Sequence, residues 1–266
     1  MSAAGNGSLG PPATGTAFVP AIEVVGLVYA YADGTPALDG VSLRIAPGES
    51  VAVVGANGAG KSTLLELLTG LLEPVAGAIR INGLSLGPGS RAEIRRSLGM
   101  VFQEADDQLF MPTAAEDVAF GPQNLGLPAD VVRQRVSLAL EQVGALALRD
   151  RSPHRLSGGE KRAVAIATVL AMEPSILLLD EPSAALDPRA RRRLIQLLQG
   201  LSHTRVVATH DLDLALDLCS RTVVLSAGRV VADGPSDRIL EDTALLERSG
   251  LEAPLSLQAR RHGCAG

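Results

Sequence analysis

The densest chemistry in this chain of 266 residues lies at Gly55-Ala56-Asn57-Gly58-Ala59-Gly60-Lys61-Ser62-Thr63. The run fits G-x-x-x-x-G-K-[ST]. Its glycines let backbone N–H groups face a polyphosphate with no side chain between them. Lys61 would meet the β- and γ-phosphates of ATP, and the Ser62 hydroxyl would reach Mg²⁺. That chemistry needs a strand before the loop and a helix after it, because the helix N-terminus adds the positive end of its dipole. Val51–Val54 is a short apolar run of the buried-strand kind. Thr63 to Leu72 has helical character, with leucine at 64, 65, 67, 68, 71 and 72.

Two further groups carry chemistry. Asp180 closes the apolar run Ile176-Leu177-Leu178-Leu179, where an unpaired carboxylate would be costly. A Mg²⁺ ion, held directly or through water, accounts for it. The adjacent Glu181 suits a general base. Ser157-Gly158-Gly159 forms a second small-residue phosphate reader at the start of a helix.

The elements that must position these residues read as an α/β pattern. Ile22–Val25 and Val41–Ile45 are β-type, and Ala46-Pro47-Gly48-Glu49 is a turn. Residues 113 to about 152 look mostly helical. Beyond them, Ile176–Leu179, Leu194–Leu201, Arg205–Thr209 and Leu212–Leu218 alternate strand with helix, which predicts a mostly parallel sheet flanked by helices. Val223–Leu225 and Arg229–Ala232 read as a hairpin through Ala227-Gly228. Arg189, Arg191, Arg192 and Arg193 read as a solvated helix start.

Composition narrows the classes. The net charge of −5 argues against broad phosphate-driven binding to nucleic acid. The longest apolar candidate, Ala163 to Met172, is ten residues, against the roughly 20 that a membrane span needs. Cys219 and Cys264 make neither a disulfide framework nor a metal cluster. The tail Arg261–Gly266 with His262 and Cys264 reads as a mobile end, and residues 1–20 as a flexible arm. The N-terminus lacks the basic and apolar segments of a secretory signal, so a cytosolic location is expected.

The order of Gly55–Ser62, Leu156-Ser157-Gly158-Gly159-Glu160, Ile176–Pro182 and His210 resembles the ATP-binding cassette family, the ATPases of ABC transporters, over roughly residues 21 to 240. The resemblance implies a P-loop NTPase core with an antiparallel β subdomain and an α-helical signature subdomain at about 105–170. Residues 241–266 would form a C-terminal extension. It also implies roles. Gln103 would contact Mg²⁺ and the attacking water, and Glu181 would polarise that water. His210 would reach the γ-phosphate, and Tyr31 would stack on adenine, with Tyr29 a competitor. Ser157, Gly158 and Gly159 would cover the ATP of a second cassette in a head-to-tail dimer that Asp187 helps to bridge. Ala163 stands where the family often has a basic residue, so an ion pair is expected to be missing there, with nothing catalytic lost.

Phe102–Phe110 and Glu116–Pro122 resemble the energy-coupling-factor importers. Thr168–Pro174, His210–Cys219 and Leu245–Leu251 are most similar to their cobalt/nickel branch. That resemblance implies an ATPase on the cytoplasmic face of the membrane. Its partners would be a transmembrane coupling protein, a substrate-binding membrane protein and a second ATPase subunit, a homodimer being favoured, with no nucleic acid. Asp106 and Asp107 are expected either to dock the coupling protein or to form a solvated turn. The alternatives are the ATPase of a vitamin importer, such as one for biotin, or a soluble cassette ATPase outside transport. The chain has neither the long heptad insertion nor the duplicated signature that soluble types carry. Intact Lys61, Gln103, Asp180, Glu181 and His210 speak against a non-hydrolysing cassette.

Overall fold

The computed structural model describes residues 18–258. Chain order runs β1 (Ile22–Ala30), β2 (Pro36–Ile45), β3 (Ser50–Val54), α1 (Lys61–Leu68), β4 (Ala76–Ile81), β5 (Leu84–Ser85), α2 (Arg91–Ser97) and β6 (Leu98–Val101). Helices α3 (Ala114–Asn124), α4 (Ala129–Gln142) and α5 (Gly158–Leu170) follow. The chain continues through β7 (Ile176–Asp180), α6 (Pro188–Gln199), β8 (Thr204–Thr209), α7 (Leu212–Leu218), β9 (Arg221–Ser226), β10 (Arg229–Pro235), α8 (Ser236–Glu241) and α9 (Thr243–Arg248).

The strands form two sheets. An antiparallel sheet has the order β2-β1-β4-β5. The second has the order β10-β9-β3-β8-β7-β6, parallel throughout except for the terminal hairpin of β9 and β10. Strand β3 shows why the sheet is apolar on both faces. Val51 and Val53 face a core shared with α1 and the antiparallel sheet, whereas Ala52 and Val54 face a second core shared with α3 to α7. Strand β7 alternates in the same way, with Ile176 and Leu178 on one side and Leu177 and Leu179 on the other. Side chains that alternate in a sheet covered on both faces must all be apolar. This strand order sets the carboxyl ends of β3, β8 and β7 side by side, with Val54 opposite Thr209 and Asp180 opposite Ala208. Open parallel sheets place their sites at such an edge.

Helices α3, α4 and α5 pack on one another. Two carry capping boxes, Thr113 with Glu116 and Ser157 with Glu160, in which side chain and backbone satisfy each other's orphan groups. The helix expected at Thr63–Leu72 starts at Lys61 and stops at Leu68, because Gly70 takes a left-handed φ of +65° just past its end. The hairpin forms as read. Among the described residues no helix is long and apolar enough to cross a membrane. Of the N-terminal arm expected at residues 1–20, only 18–20 are among those described, and the Cys264 tail lies wholly outside them.

Candidate active site

The loop after β3 is shaped by its glycines. A Cβ at Gly55 would stand 2.4 Å from the Leu225 carbonyl oxygen, and one at Gly60 would stand 2.5 Å from that of Ala37. Gly58 and Gly60 adopt φ of +79° and +102°. Space excludes a side chain at Gly55 and Gly60, and the backbone disfavours one at Gly58 and Gly60. Lys61 is buried, donating from Nζ to the Gly55 carbonyl at 2.8 Å and the Ala56 carbonyl at 3.3 Å. It also lies 3.6 Å from Glu181 Oε1. Asn57 and Ser62 are exposed, while Ala59 and Thr63 are buried. Thr63 Oγ1 shares a 2.7 Å hydrogen bond with the Tyr31 hydroxyl. Tyr31 is 42% exposed, whereas Tyr29 packs against the core. The exposed ring tied to this loop is therefore Tyr31.

Asp180 and Glu181 arrive from the neighbouring strand. Asp180 Oδ1 is buried and has no hydrogen-bond partner among the described residues. Burial pushes the Asp180 carboxyl above its ordinary range and the Glu181 carboxylate adds to this, against a hydrogen bond from Ser62 and the charges of Lys61 and Arg162. An orphaned carboxylate oxygen beside a serine hydroxyl and below a phosphate loop fits the hard oxygen ligation that Mg²⁺ requires. Glu181 has a left-handed φ of +42°, a strain that clusters at functional sites. Thr209 Oγ1 donates to Glu181 at 2.9 Å, and the His210 backbone N–H does so at 3.0 Å. His210 Nδ1 lies 2.9 Å from Glu181 Oε1, with its imidazole 60% exposed. The sheet thus brings together Lys61, Ser62, Asp180, Glu181 and His210.

Among the described residues, Gln103, Ser157, Gly158, Gly159 and Asp187 make no hydrogen bond or ion pair with these five. Gln103 follows β6 with an exposed side chain, and only its backbone carbonyl is tied down, by Arg162. Ser157 caps α5, and its N–H and hydroxyl both donate to Glu160 Oε2 at 2.8 Å. Ser157 and Gly158 are exposed. A Cβ at Gly159 would meet Ala190 Cβ at 2.9 Å, so this glycine is needed where α5 approaches α6. Among the described residues no hydrogen bond or ion pair joins Ser157, Gly158 or Gly159 to the phosphate loop. Asp187 caps α6, accepting from the N–H groups of Arg189 and Ala190 at 2.8 and 2.9 Å.

Three residues were missed or misread in sequence. Thr209 braces Glu181, but threonine ending a strand carries no signal of that. Arg191 is not simply solvated: it grips Asp211 through two bonds of 2.9 and 3.1 Å. Arg162, one position before Ala163, is buried and donates to the carbonyls of Phe102 and Gln103. It follows Glu160 and Lys161 in the polar start of α5, so nothing in the local sequence marks it as buried.

A groove of about 440 Å³ opens beside the Gln103 loop, lined among others by Phe102, Gln108, Phe110, Asp117, Phe120 and Met172. Phe110 is 62% exposed, and its ring meets that of Phe120 edge-on at 4.9 Å. Asp106 and Asp107 form a single 3-10 turn, with Asp107 exposed and Asp106 paired to Lys161 at 2.5 Å.

A glycine-built phosphate loop, a capped Ser-Gly-Gly helix and then a strand-end Asp-Glu pair define a known constellation. The profile of the ABC transporter family matches residues 38–184. The chain belongs to that family. It is 56% identical to a Geobacter sulfurreducens protein named as an ABC transporter ATP-binding protein, across 89% of this chain and 95% of that one. It is 49% identical to the energy-coupling factor transporter ATP-binding protein EcfA of Carboxydothermus hydrogenoformans, across 88% of each. Among solved structures it is similar to cbiO1 of Clostridium perfringens, part of the ABC transporter complex cbiONQ. The TM-score is 0.78 at 38% identity, covering 87% of this chain and 94% of that one. This ABC protein is an ATPase, and its mixed α/β fold is that of the solved ABC ATPases.

Proposed function

We propose that this ATPase is the energy-supplying subunit of an energy-coupling-factor-type ABC importer and that it drives cobalt or nickel uptake. The observation that carries the coupling to a membrane partner is the groove beside the Gln103 loop. Its exposed Phe102, Phe110 and Phe120 offer the apolar surface onto which an amphipathic helix lays its anchors. The likeness to EcfA and to cbiO1 supports the importer class. Residues 168–174 and 210–219, which resemble the metal branch, support cobalt or nickel. The substrate would be chosen by a separate membrane protein, and a transmembrane coupling protein would occupy the groove. The chain would sit at the cytoplasmic membrane face.

Within the site, Lys61 and the loop N–H groups hold the β- and γ-phosphates. Ser62 and Asp180, with Gln103, would hold Mg²⁺. That ion would arrive with the nucleotide and neutralise phosphate charge. Glu181, buried and oriented by Thr209 and His210, takes the proton of the attacking water. His210 then faces the terminal phosphate. Ser157, Gly158 and Gly159 make no bond to their own loop among the described residues and would serve the nucleotide of a second copy.

Co-expression with candidate membrane subunits and uptake of labelled cobalt, nickel or biotin tests this reading. Metal uptake that stops with Phe110→Asp, while the isolated variant still binds ATP, is the expected outcome. Biotin uptake would replace the metal with a vitamin. Failure to assemble with any membrane subunit would return the chain to the soluble class.

A further inference from the structure

We propose that Arg162 is a positioning residue that locks the loop carrying Gln103 to the helix carrying Ser157, so that both site residues move as one body. The inference rests on the reading of Gln103 and Ser157 as site residues given above. One side of the lock is a single face of α5. Lys161, Ala165 and Thr168 follow the i, i+4, i+7 spacing of one helical stripe, and Arg162, three residues before Ala165, borders it. The other side is the segment from Phe102 to Gln108, which leaves β6 without strand pairing of its own.

Three bridges join them. Arg162 donates to the Phe102 carbonyl at 2.6 Å and to the adjacent Gln103 carbonyl. Gln108 Nε2 donates to the Ala165 carbonyl at 2.8 Å and to Thr168 Oγ1 at 2.7 Å, while its Oε1 accepts from Phe102 N–H at 3.3 Å. Lys161 pairs with Asp106 at 2.5 Å.

Arg162 is the central bridge because it is 4% exposed. Burying a guanidinium is costly unless it is paired. An apolar residue, as at Val164 and Ile166 in the same helix, would pack at no such cost. What only arginine provides is a rigid fork that spans two consecutive carbonyls. The carboxylates of Glu104 and Asp180 face its charge at longer range. The Gln103 side chain remains free while its backbone is held. Ser157 caps the same helix five residues before Arg162. A shift of α5 must therefore carry Gln103 with it. Phe102, Gln108 and Thr168 also line the groove, so an occupant there touches both sides of the lock.

The test is a double-mutant cycle on the full chain, with ATPase kcat and KM, calorimetric ATP affinity and melting curves for each variant. Arg162→Ala should lower kcat about tenfold and leave ATP affinity unchanged, since the phosphate loop is not involved. Gln103→Ala should also lower kcat, and the double variant should fall no further than the worse single one. Arg162→Lys, which reaches one carbonyl, should recover part of the loss. Unaltered kcat in folded Arg162→Ala, or a double variant whose loss is the product of the single losses, would overturn the lock. An inert Gln103→Ala would instead overturn the role of Gln103 itself, and the lock with it. If Arg162→Ala does not fold, the neutral Arg162→Gln takes its place in the same cycle.

Discussion

Asp180 works against the fold that carries it. Its buried, unpaired oxygen raises the carboxyl pKa above the ordinary aspartate value. Between the ordinary and the raised value, the unfolded chain has already released the proton that the folded chain still holds. Folding stability therefore falls as pH rises through that window, and the loss is fully present above it. Asp180→Asn should remove the loss. At neutral pH the ligand-free chain is expected to gain about 1 kcal/mol, a rise in Tm of roughly 2–4 °C. The gain should vanish below the ordinary aspartate pKa, where the native carboxyl is protonated as well. ATPase activity should disappear at every pH. Scanning calorimetry across pH checks this, and a lower Tm for the variant at neutral pH would refute it. The need for a partner at Asp180 was legible in sequence, because the residue ends a run of four apolar residues. The left-handed backbone of Glu181 was not, because no local pattern demands it.

At the scale of elements, the contact between β6 and α5 leaves no slack. A Cβ at Gly99 would stand 2.2 Å from Val169 Cγ1 and 2.9 Å from Pro174 Cγ. Gly99→Ala must push the helix off the strand, and overpacking of this kind costs about 1–3 kcal/mol. Urea denaturation should show a lower midpoint with an unchanged slope. An unchanged midpoint would mean that the contact yields freely. The strand and helix alternation was readable from period and length, and so were the phosphate loop's flanking elements. The helix stop at Gly70 went unread, and so did the pairing of Asp106 with Lys161. Asp106 and Lys161 are 55 residues apart in sequence, and only the packing of α5 beside the loop joins them. Being exposed on the Asp106 side, the pair adds little to stability.

For the whole molecule, the decisive placement is that of Ser157. It caps an exposed helix end and makes no bond to its own phosphate loop. If a second copy supplies Ser157 to each nucleotide, a variant that binds ATP without hydrolysing it should be trapped as a dimer. Glu181→Gln keeps the size of the side chain and cannot take the proton, so hydrolysis should slow by about 10²–10⁴-fold. Sedimentation should show monomer becoming dimer with ATP and Mg²⁺ but not with ADP, which lacks the γ-phosphate. A hydrolysis-dead variant that stays monomeric with ATP would count against the homodimer.

The sequence by itself determined the features whose partners are close along the chain. The phosphate loop is the clearest of these, since Lys61 and the Gly55 carbonyl are six residues apart, and the glycines between them follow from backbone sterics alone. The capping boxes and the strand-end carboxylate are equally local. Tertiary structure decided everything that depends on strand order. Thr209 reaches Glu181 across 28 residues, and Arg162 reaches Phe102 across 60. The first contact exists because β8 lies beside β7, and the second because α5 packs against β6. Hydrophobic period specifies that a segment is a buried strand, and every such strand here is apolar on both faces. The period is therefore the same for any order of the strands, and only the packed sheet selects one.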